Sequence, residues 1–212
     1  MKTQTQESQV KMSPKEALEI LKLGNQRFQN NLKSNRNLLE QVDETSKSQF
    51  PFAVILSCID SRVSAELVFD QGIGDIFSVR IAGNFVNEDI LGSMEFACKV
   101  AGSKLVVVLG HSSCGAVKGA CDHVKLGNLT TLLSKIQPAV ESIKDIEGER
   151  NSSNLDFVDQ VARKNVLLTI DRIKAESEIL KEMLDKSEIG IVGAMYNVGT
   201  GQIDFDSSSE GL

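Results

Sequence analysis

Residues 52–62 read FAVILSCIDSR, and residues 104–115 read KLVVVLGHSSCG. Each stretch contains an unbroken apolar run of strand length and continues into a short turn that contains cysteine. An apolar run without polar alternation is typical of a parallel strand, because helices cover both faces of such a sheet. The two stretches therefore predict the central strands of an α/β fold.

Runs of the same kind occur at 76–81 and 189–196, and the segment 199–205 predicts a turn into a short edge strand. Helical patterns separate the runs, at 64–69, 87–100, 116–121, 130–146 and 155–184. Strands that alternate with helices indicate a three-layer α/β/α domain. We expect a mainly parallel central sheet of four strands plus the C-terminal edge strand.

The chain before the first strand divides into three parts. Residues 1–12 are polar and predict a disordered tail. A helical arm then begins with Ser13 as N-cap, Pro14 at the first helical position and Glu16 completing a capping box. Residues 30–49 are polar and predict a connecting arm. The length of the chain predicts one domain over residues 13–212.

The composition is ordinary for a globular protein, with 41% hydrophobic and 25% charged residues in a chain of 212. The formal net charge of −6 argues against a nucleic-acid partner, since neutralising phosphates needs a basic surface. No apolar stretch is long enough to cross a bilayer, and the start lacks the apolar core of a signal peptide. We therefore expect a cytoplasmic protein without membrane contact.

Two potential metal ligands directly follow predicted strands: Cys58 and His111. In an open parallel sheet, ligands bind beyond the carboxyl ends of the strands, so these side chains are expected to converge. Cys114 follows three residues later, at the start of the next helix. Two thiolates and an imidazole suit zinc, and three protein ligands leave a fourth position open for catalysis. We expect one zinc ion per chain.

The cysteines also allow two alternatives to metal binding. Four cysteines could form two disulfides, but thiols near histidine in a reducing cytoplasm more often bind metal. A buried cysteine is also commonly an inert part of the core. We expect this of Cys98 and Cys121, which together with His123 are not expected to be ligands.

Asp60 and Arg62 lie within four residues of Cys58. The Asp60 carboxylate can accept a hydrogen bond from metal-bound hydroxide or bind the metal itself, while the Arg62 guanidinium holds it in a bidentate pair. The alternative is a surface ion pair of little consequence. The position beside a predicted metal site favours the functional interpretation.

Residues 58–62 (Cys-Ile-Asp-Ser-Arg), followed by residues 111–115 (His-Ser-Ser-Cys-Gly), resemble the motifs of the β-class carbonic anhydrases. Residues 80–84 (Arg-Ile-Ala-Gly-Asn) are similar to the segment after the second strand of that family. The resemblance covers nearly the whole chain. It implies that Cys58, His111 and Cys114 bind zinc, and that Asp60 and Arg62 form a dyad behind the metal.

The resemblance also implies a substrate pocket. Its expected residues are Gln49, Phe77, Ala82, Gly83, Phe96 and Gly115. Gln49, nine residues before the first ligand, matches a glutamine near the substrate in plant-like members. Phe77 and Phe96 match aromatic positions of an apolar pocket that the family assembles across a dimer interface, although plain core packing would also account for them. We therefore expect a homodimer or homotetramer.

The implied reaction is the reversible hydration of carbon dioxide to bicarbonate by attack of zinc-bound hydroxide. Asp60 would accept the hydroxide's proton in a hydrogen bond, and in a second, closed state it would replace water as the fourth zinc ligand. Hydrolysis of an analogue such as carbon disulfide is one alternative, and a thiol redox or zinc-storage protein is another. For proton export, His123 is a weak candidate.

One feature of some bacterial family members is incomplete in this chain. Their non-catalytic bicarbonate site consists of a Trp, an Arg and a Tyr. Arg80 and Tyr196 fall at matching positions, but Ile55 stands at the Trp position and the chain contains no Trp. This departure argues against bicarbonate inhibition through such a site.

Overall fold

A computed structural model of the chain describes residues 3–206 and 211–212. Its centre is a five-stranded sheet with the order β2-β1-β3-β4-β5. The strands are β1 (Ala53–Ser57), β2 (Ile76–Arg80), β3 (Leu105–His111), β4 (Gly190–Tyr196) and β5 (Ile203–Phe205). Strands β1–β4 pair with one another in parallel, and β5 pairs antiparallel with β4. The expected sheet is thereby confirmed.

Helices cover both faces of this sheet. They are α1 (Gln6–Lys11), α2 (Pro14–Gln29), α3 (Leu38–Thr45), α4 (Ala65–Val68), α5 (Glu88–Glu95), α6 (Gly115–Cys121), α7 (Gly127–Ser134), α8 (Gln137–Ser142), α9 (Leu155–Glu176) and α10 (Glu178–Asp185). Among the residues described, no helix combines the length and apolar content needed to cross a membrane.

Every residue of β1, β3 and β4 is buried. Alternate side chains of β1 enter different cores, because successive residues of a strand point to opposite faces. Val54 and Leu56 pack into the core under α6–α10. Ile55 packs into the core under α2 and α4. Burial on both faces explains why these strands are continuous apolar runs in the sequence.

The prediction of a disordered tail is wrong for the residues that form α1. Thr5 and Ser8 cap this helix reciprocally. The Gln9 side chain is buried and donates from Nε2 to the carbonyls of Pro51 and Ala101, at 2.7 and 2.8 Å. These long-range hydrogen bonds hold α1 against the domain. The segment is polar, so hydrophobic periodicity could not predict the helix. Residues 1 and 2 of the predicted tail, and residues 207–210 of the predicted domain, lie outside the described residues.

Several predicted elements are subdivided. The arm over 30–49 contains α3. The predicted helix over 130–146 is two helices, and Pro138 lies in the first turn of the second, where its missing N–H is tolerated. The predicted helix over 155–184 breaks at Ser177, whose side chain caps α10. After α5 the chain continues as a π-helical turn over Phe96–Val100.

Candidate metal centre

Three potential ligand side chains meet at the carboxyl end of the sheet. Cys58 directly follows β1, His111 is the last residue of β3, and Cys114 is the N-cap of α6. Strands β1 and β3 are adjacent and in register, with Ser57 opposite Leu109. The ligand atoms of the three residues all lie within 4.8 Å of one another, and all three residues are buried.

The spacing of these atoms fits a metal ion. The Sγ atoms of Cys58 and Cys114 are 3.9 Å apart, and tetrahedral zinc with Zn–S bonds of about 2.3 Å requires roughly 3.8 Å. The Nδ1 atom of His111 lies 3.0 Å from the Ser112 carbonyl, to which it can donate. The other ring nitrogen, Nε2, is buried and has no hydrogen-bond partner among the described residues. It can therefore serve as a ligand atom.

The two thiols have opposite effects on each other's pKa. Hydrogen bonding with Cys114 is the main reason that the pKa of Cys58 falls to about 4, and His111 and the Gly83 N–H act in the same direction. The same pairing, together with burial, raises the pKa of Cys114 above its ordinary value. A bound divalent cation would favour the thiolate form of both, because coordination deprotonates cysteine.

The Asp60–Arg62 pair adjoins this cluster. The Arg62 Nε atom donates to Asp60 Oδ1 at 2.9 Å, and Nη2 donates to Oδ2 at 2.7 Å. The Arg62 backbone N–H adds a third bond to Oδ1 at 3.0 Å. Chiefly through the side-chain hydrogen bond, Arg62 holds the pKa of Asp60 well below its usual range. The carboxylate is therefore ionised and held in one orientation.

Comparison with known proteins identifies the family. The family model described as "Carbonic anhydrase" matches residues 53–203. The chain is 35% identical over 198 residues to "Carbonic anhydrase 2" of Mycobacterium tuberculosis, covering 90% of this chain and 91% of that protein. It is 33% identical over 201 residues to "Carbonic anhydrase" of Mycolicibacterium smegmatis, covering 92% and 94%.

This chain belongs to the β-class carbonic anhydrase family. A solved structure of a Coccomyxa β-carbonic anhydrase in complex with acetazolamide matches with a TM-score of 0.68 and 25% identity, covering 76% of this chain and 74% of that one. A tetrameric β-carbonic anhydrase from Sordaria macrospora matches in fold with a TM-score of 0.70, at 21% identity and coverages of 88% and 92%. The chain is thus an enzyme of the class whose general reaction is carbon dioxide hydration.

Arg80 has a role in this family member that the sequence analysis missed. Its guanidinium donates from Nε to the Cys58 carbonyl at 3.0 Å and from Nη2 to the Asp60 carbonyl at 2.7 Å. Arg80 therefore braces the turn that carries both a ligand and the dyad. Ile55, at the position expected for Trp, is fully buried in the opposite core. The sequence shows that Arg80 belongs to the 80–84 motif, but it does not predict which two carbonyls the guanidinium contacts.

Three of the expected pocket residues lie next to the ligands. The Gly83 N–H donates to Cys58 Sγ at 3.4 Å, and the half-buried Ala82 precedes it. Gly83 has φ +80°, and a Cβ there would lie 2.4 Å from the Ile136 side chain, so both conformation and space require glycine. Gly115 follows Cys114 and is exposed.

The other three expected pocket residues are not brought to the metal ligands within one chain. Gln49 is exposed and precedes β1. Phe77 pairs with Val54, which lies four residues, or about 13 Å of strand, before Cys58. The rings of Phe77 and Phe96 pack edge to face at 6.2 Å between centroids. They line an open hollow of about 780 Å³ beside β2 that contains none of the three ligands.

The remaining cysteines and the second histidine lie outside this cluster. Cys98 and Cys121 are buried in the core under α6–α10. Burial raises the pKa of both thiols. His123 follows α6, is exposed, and has a backbone φ of +52°. Within the described part of the chain, the potential metal-binding group comprises Cys58, His111 and Cys114.

Proposed function

We propose that this chain is a zinc enzyme that catalyses the reversible hydration of carbon dioxide to bicarbonate and a proton. The family supports the reaction. The single observation that carries the zinc assignment is the arrangement of two thiols 3.9 Å apart beside the free Nε2 atom of His111.

The donor set supports zinc over harder cations. Magnesium and calcium prefer carboxylate, carbonyl and water oxygens, whereas thiolate and imidazole ligands suit zinc. Three ligands leave one coordination position, which distinguishes catalytic from structural zinc sites. A zinc ion held by Cys58, His111 and Cys114 would lower the pKa of bound water to about 7 and so supply hydroxide at neutral pH.

Asp60 orients the attacking oxygen in this proposal. Because the Arg62 pair keeps its pKa well below the usual range, the carboxylate can only accept hydrogen bonds in the neutral pH range. A water or hydroxide that donates to Asp60 is thereby left with a lone pair directed at the substrate. The pair with Arg62 would also hold the carboxylate away from a bound metal ion. Release of Asp60 from Arg62 would give the closed, inactive state.

The substrate would bind beside Ala82 and Gly83. Carbon dioxide is small and apolar, so an apolar hollow without competing hydrogen bonds suits it. The exposed Gly115 beside Cys114 leaves that side of the site unobstructed by a side chain. We assign Gln49, Phe77 and Phe96 to the same pocket only in an oligomer, where a second subunit could contribute them.

We further propose a homodimer or homotetramer. Strand β2 is an edge of the sheet, and exposed edges commonly pair with other chains. Phe96 is 52% exposed and Val100 72% exposed in the π-helical turn near this edge. Covering this apolar surface with a second copy would bury both. The Sordaria macrospora relative in fold is tetrameric.

A cytoplasmic location completes the proposal. Cys58 and Cys114 must remain thiolates to bind zinc, and their Sγ atoms are close enough that an oxidising compartment would threaten the site. The described cysteines are all free. We also propose that the chain binds no nucleic acid, because a net charge of −6 disfavours contact with phosphates.

A stopped-flow assay of carbon dioxide hydration, run together with a zinc count, tests the proposal. We expect one zinc per chain and hydration that disappears when the metal is chelated and returns with zinc. A metal-free protein, or a zinc protein that turns over carbon disulfide but not carbon dioxide, would refute it. A protein whose thiols cycle to a disulfide without hydration activity would indicate redox chemistry instead.

A further inference from the structure

One face of α9 contacts the loop beside the metal centre. Asn165 and Thr169 lie one helical turn apart, and both are buried. The Asn165 Nδ2 atom donates to the Gly83 carbonyl at 2.8 Å. The Thr169 hydroxyl donates to the Asn84 carbonyl at 3.4 Å. Two successive carbonyls of the loop are therefore held by one helix that is more than 80 residues away in sequence.

The backbone conformation of this loop is unfavourable on its own, so contacts from outside the loop are needed to hold it. Gly83 has φ +80° and Asn84 has φ +40°, so two consecutive residues lie in the left-handed region that is unfavourable for most residues. Glycine also has more backbone freedom than any other residue. Without the α9 contacts, the segment would keep the hydrogen bond of its own turn, from the Asn84 N–H to the Ile81 carbonyl at 3.0 Å. That bond does not hold the Gly83 carbonyl, so the Gly83 N–H would be freer to turn away from the Cys58 sulfur.

The Gly83 N–H is the link between α9 and the metal ligand. It donates to Cys58 Sγ at 3.4 Å within a buried environment. Such a bond offsets part of the charge on a thiolate and fixes the direction of its lone pairs. Contacts of this kind around metal ligands commonly change metal affinity about 10- to 100-fold when removed.

We propose that Asn165 is a positioning residue of the metal centre: by anchoring the Gly83 carbonyl, it keeps the Gly83 N–H directed at Cys58 Sγ. Thr169 supports the same loop through Asn84. The inference rests on the proposed zinc site. It gives Asn165 an effect on metal binding although its own side chain does not contact a ligand.

The competing possibility is that Asn165 only satisfies a buried carbonyl. Asn25 provides a matched control, because it is equally buried, at 3% exposure. Its Nδ2 atom donates to the carbonyls of Val68 and Gly201, each at 2.9 Å. Asn25 lies on α2, on the opposite side of the sheet from α9. Replacing it removes more buried hydrogen bonds than replacing Asn165 does, because its Oδ1 atom also accepts from Gln29 Nε2 and from the Ile203 N–H. The replacement leaves the metal loop untouched, so Asn25→Ala is a stringent control for a general loss of stability.

The test is competition for zinc between the full-length protein and a chromophoric chelator at fixed pH, with Asn165→Ala and Asn25→Ala compared to wild type. We expect Asn165→Ala to weaken zinc binding by up to about 10-fold, the lower end of the loss seen when a group that contacts a metal ligand directly is removed, while Asn25→Ala binds zinc like wild type. In the cobalt-substituted protein, Asn165→Ala should also shift the thiolate-to-metal charge-transfer band. Zinc affinity equal to wild type in Asn165→Ala, or equally weakened in both variants, would overturn the proposal.

A second variant keeps the proposal testable if Asn165→Ala does not fold. Thr169→Val preserves the shape of the side chain and removes the hydroxyl donor, so we expect a smaller loss of zinc affinity. Unchanged affinity would then overturn the proposal. Failure of the zinc assignment itself is distinguishable, because wild type would bind no zinc, or would bind it independently of Cys114. If wild type binds zinc through Cys114 and the α9 variants match it, only this inference fails.

Discussion

Arg62 binds both carboxylate oxygens of Asp60, with Nε–Oδ1 and Nη2–Oδ2 distances of 2.9 and 2.7 Å. The two residues are separated by a single position on the turn after β1. A bidentate pair of this geometry both ionises the carboxylate and fixes its plane. Neither residue belongs to the proposed ligand set of Cys58, His111 and Cys114. Substitutions of the pair should therefore change turnover without removing a metal ligand.

The first prediction concerns this pair. Arg62→Ala should release Asp60 to take the fourth metal position, so zinc stays bound while hydration falls about 10- to 100-fold. Asp60→Asn should also retain zinc and lose activity, because an amide can donate as well as accept. The double variant should be little worse than the worse single one. Near-normal stopped-flow hydration rates in both single variants would show that the pair only stabilises the turn and has no role in catalysis.

The second prediction concerns the ligands. Cys114→Ala should lose zinc, and hydration with it, because two remaining ligands hold the ion far less tightly. Cys121→Ala, seven residues away and buried in the same core, is the matched control and should keep its zinc. Metal analysis after dialysis against a weak chelator makes the comparison. Retention of a full zinc complement by Cys114→Ala would contradict the assignment.

The third prediction concerns Gly83. Alanine at this position is strained by φ +80° and meets the Ile136 side chain at 2.4 Å. Gly83→Ala should lower the free energy of unfolding by about 1–3 kcal/mol and weaken zinc binding. Gly92→Ala in α5, where a Cβ meets nothing within 4 Å, should instead raise stability by about 0.5–1 kcal/mol. Denaturant unfolding at saturating zinc measures the stability of both variants. Equal changes in the free energy of unfolding would contradict the strain argument.

The fourth prediction concerns acid stability. Burial would raise the pKa of Asp70, but hydrogen bonds from Arg27 and Arg36 outweigh it and lower the pKa to about 2. A depressed pKa stabilises the fold above the ordinary aspartate pKa of about 3.9 and loses that stabilisation as pH falls toward 2. Asp70→Asn should therefore lower the free energy of unfolding by about 3 kcal/mol near neutral pH, with a difference from wild type that shrinks below pH 4.

Asparagine suits this test because Asp70 has φ +46°, a region that asparagine tolerates. The measurement is denaturant unfolding of both proteins across the acid range. A difference that stays constant below pH 4 would show that the ion pairs are not the cause.

The fifth prediction concerns assembly. Phe96→Arg places a charge in the proposed interface and should convert the protein to monomers of 23.1 kDa, measured by light scattering. Leu155→Arg at the start of α9, where the leucine is similarly exposed, should leave the assembly intact. Hydration should fall with dissociation if Gln49 and Phe77 serve the pocket of a neighbouring subunit. A wild-type monomer with full activity would contradict both statements.

The sequence by itself determined the sheet and the candidate metal ligands. Strands buried on both faces are unbroken apolar runs, so β1 and β3 could be predicted from the sequence. Cys58 and His111 directly follow those runs, and parallel strands end at the same edge. The Asp60–Arg62 pair was equally accessible, because its two members are near neighbours in the chain.

The tertiary structure alone decided which polar groups support the loops of that site and which dock the N-terminal helix. Asn165 reaches the Gly83 carbonyl across 82 residues, Arg80 reaches the Cys58 carbonyl across 22, and Gln9 docks α1 through Pro51 and Ala101. Periodicity reports which face of an element is buried, but not which distant carbonyl a buried amide will meet. That choice depends on the packing of whole helices against the sheet, because hydrogen bonds form only within a narrow range of distance and angle.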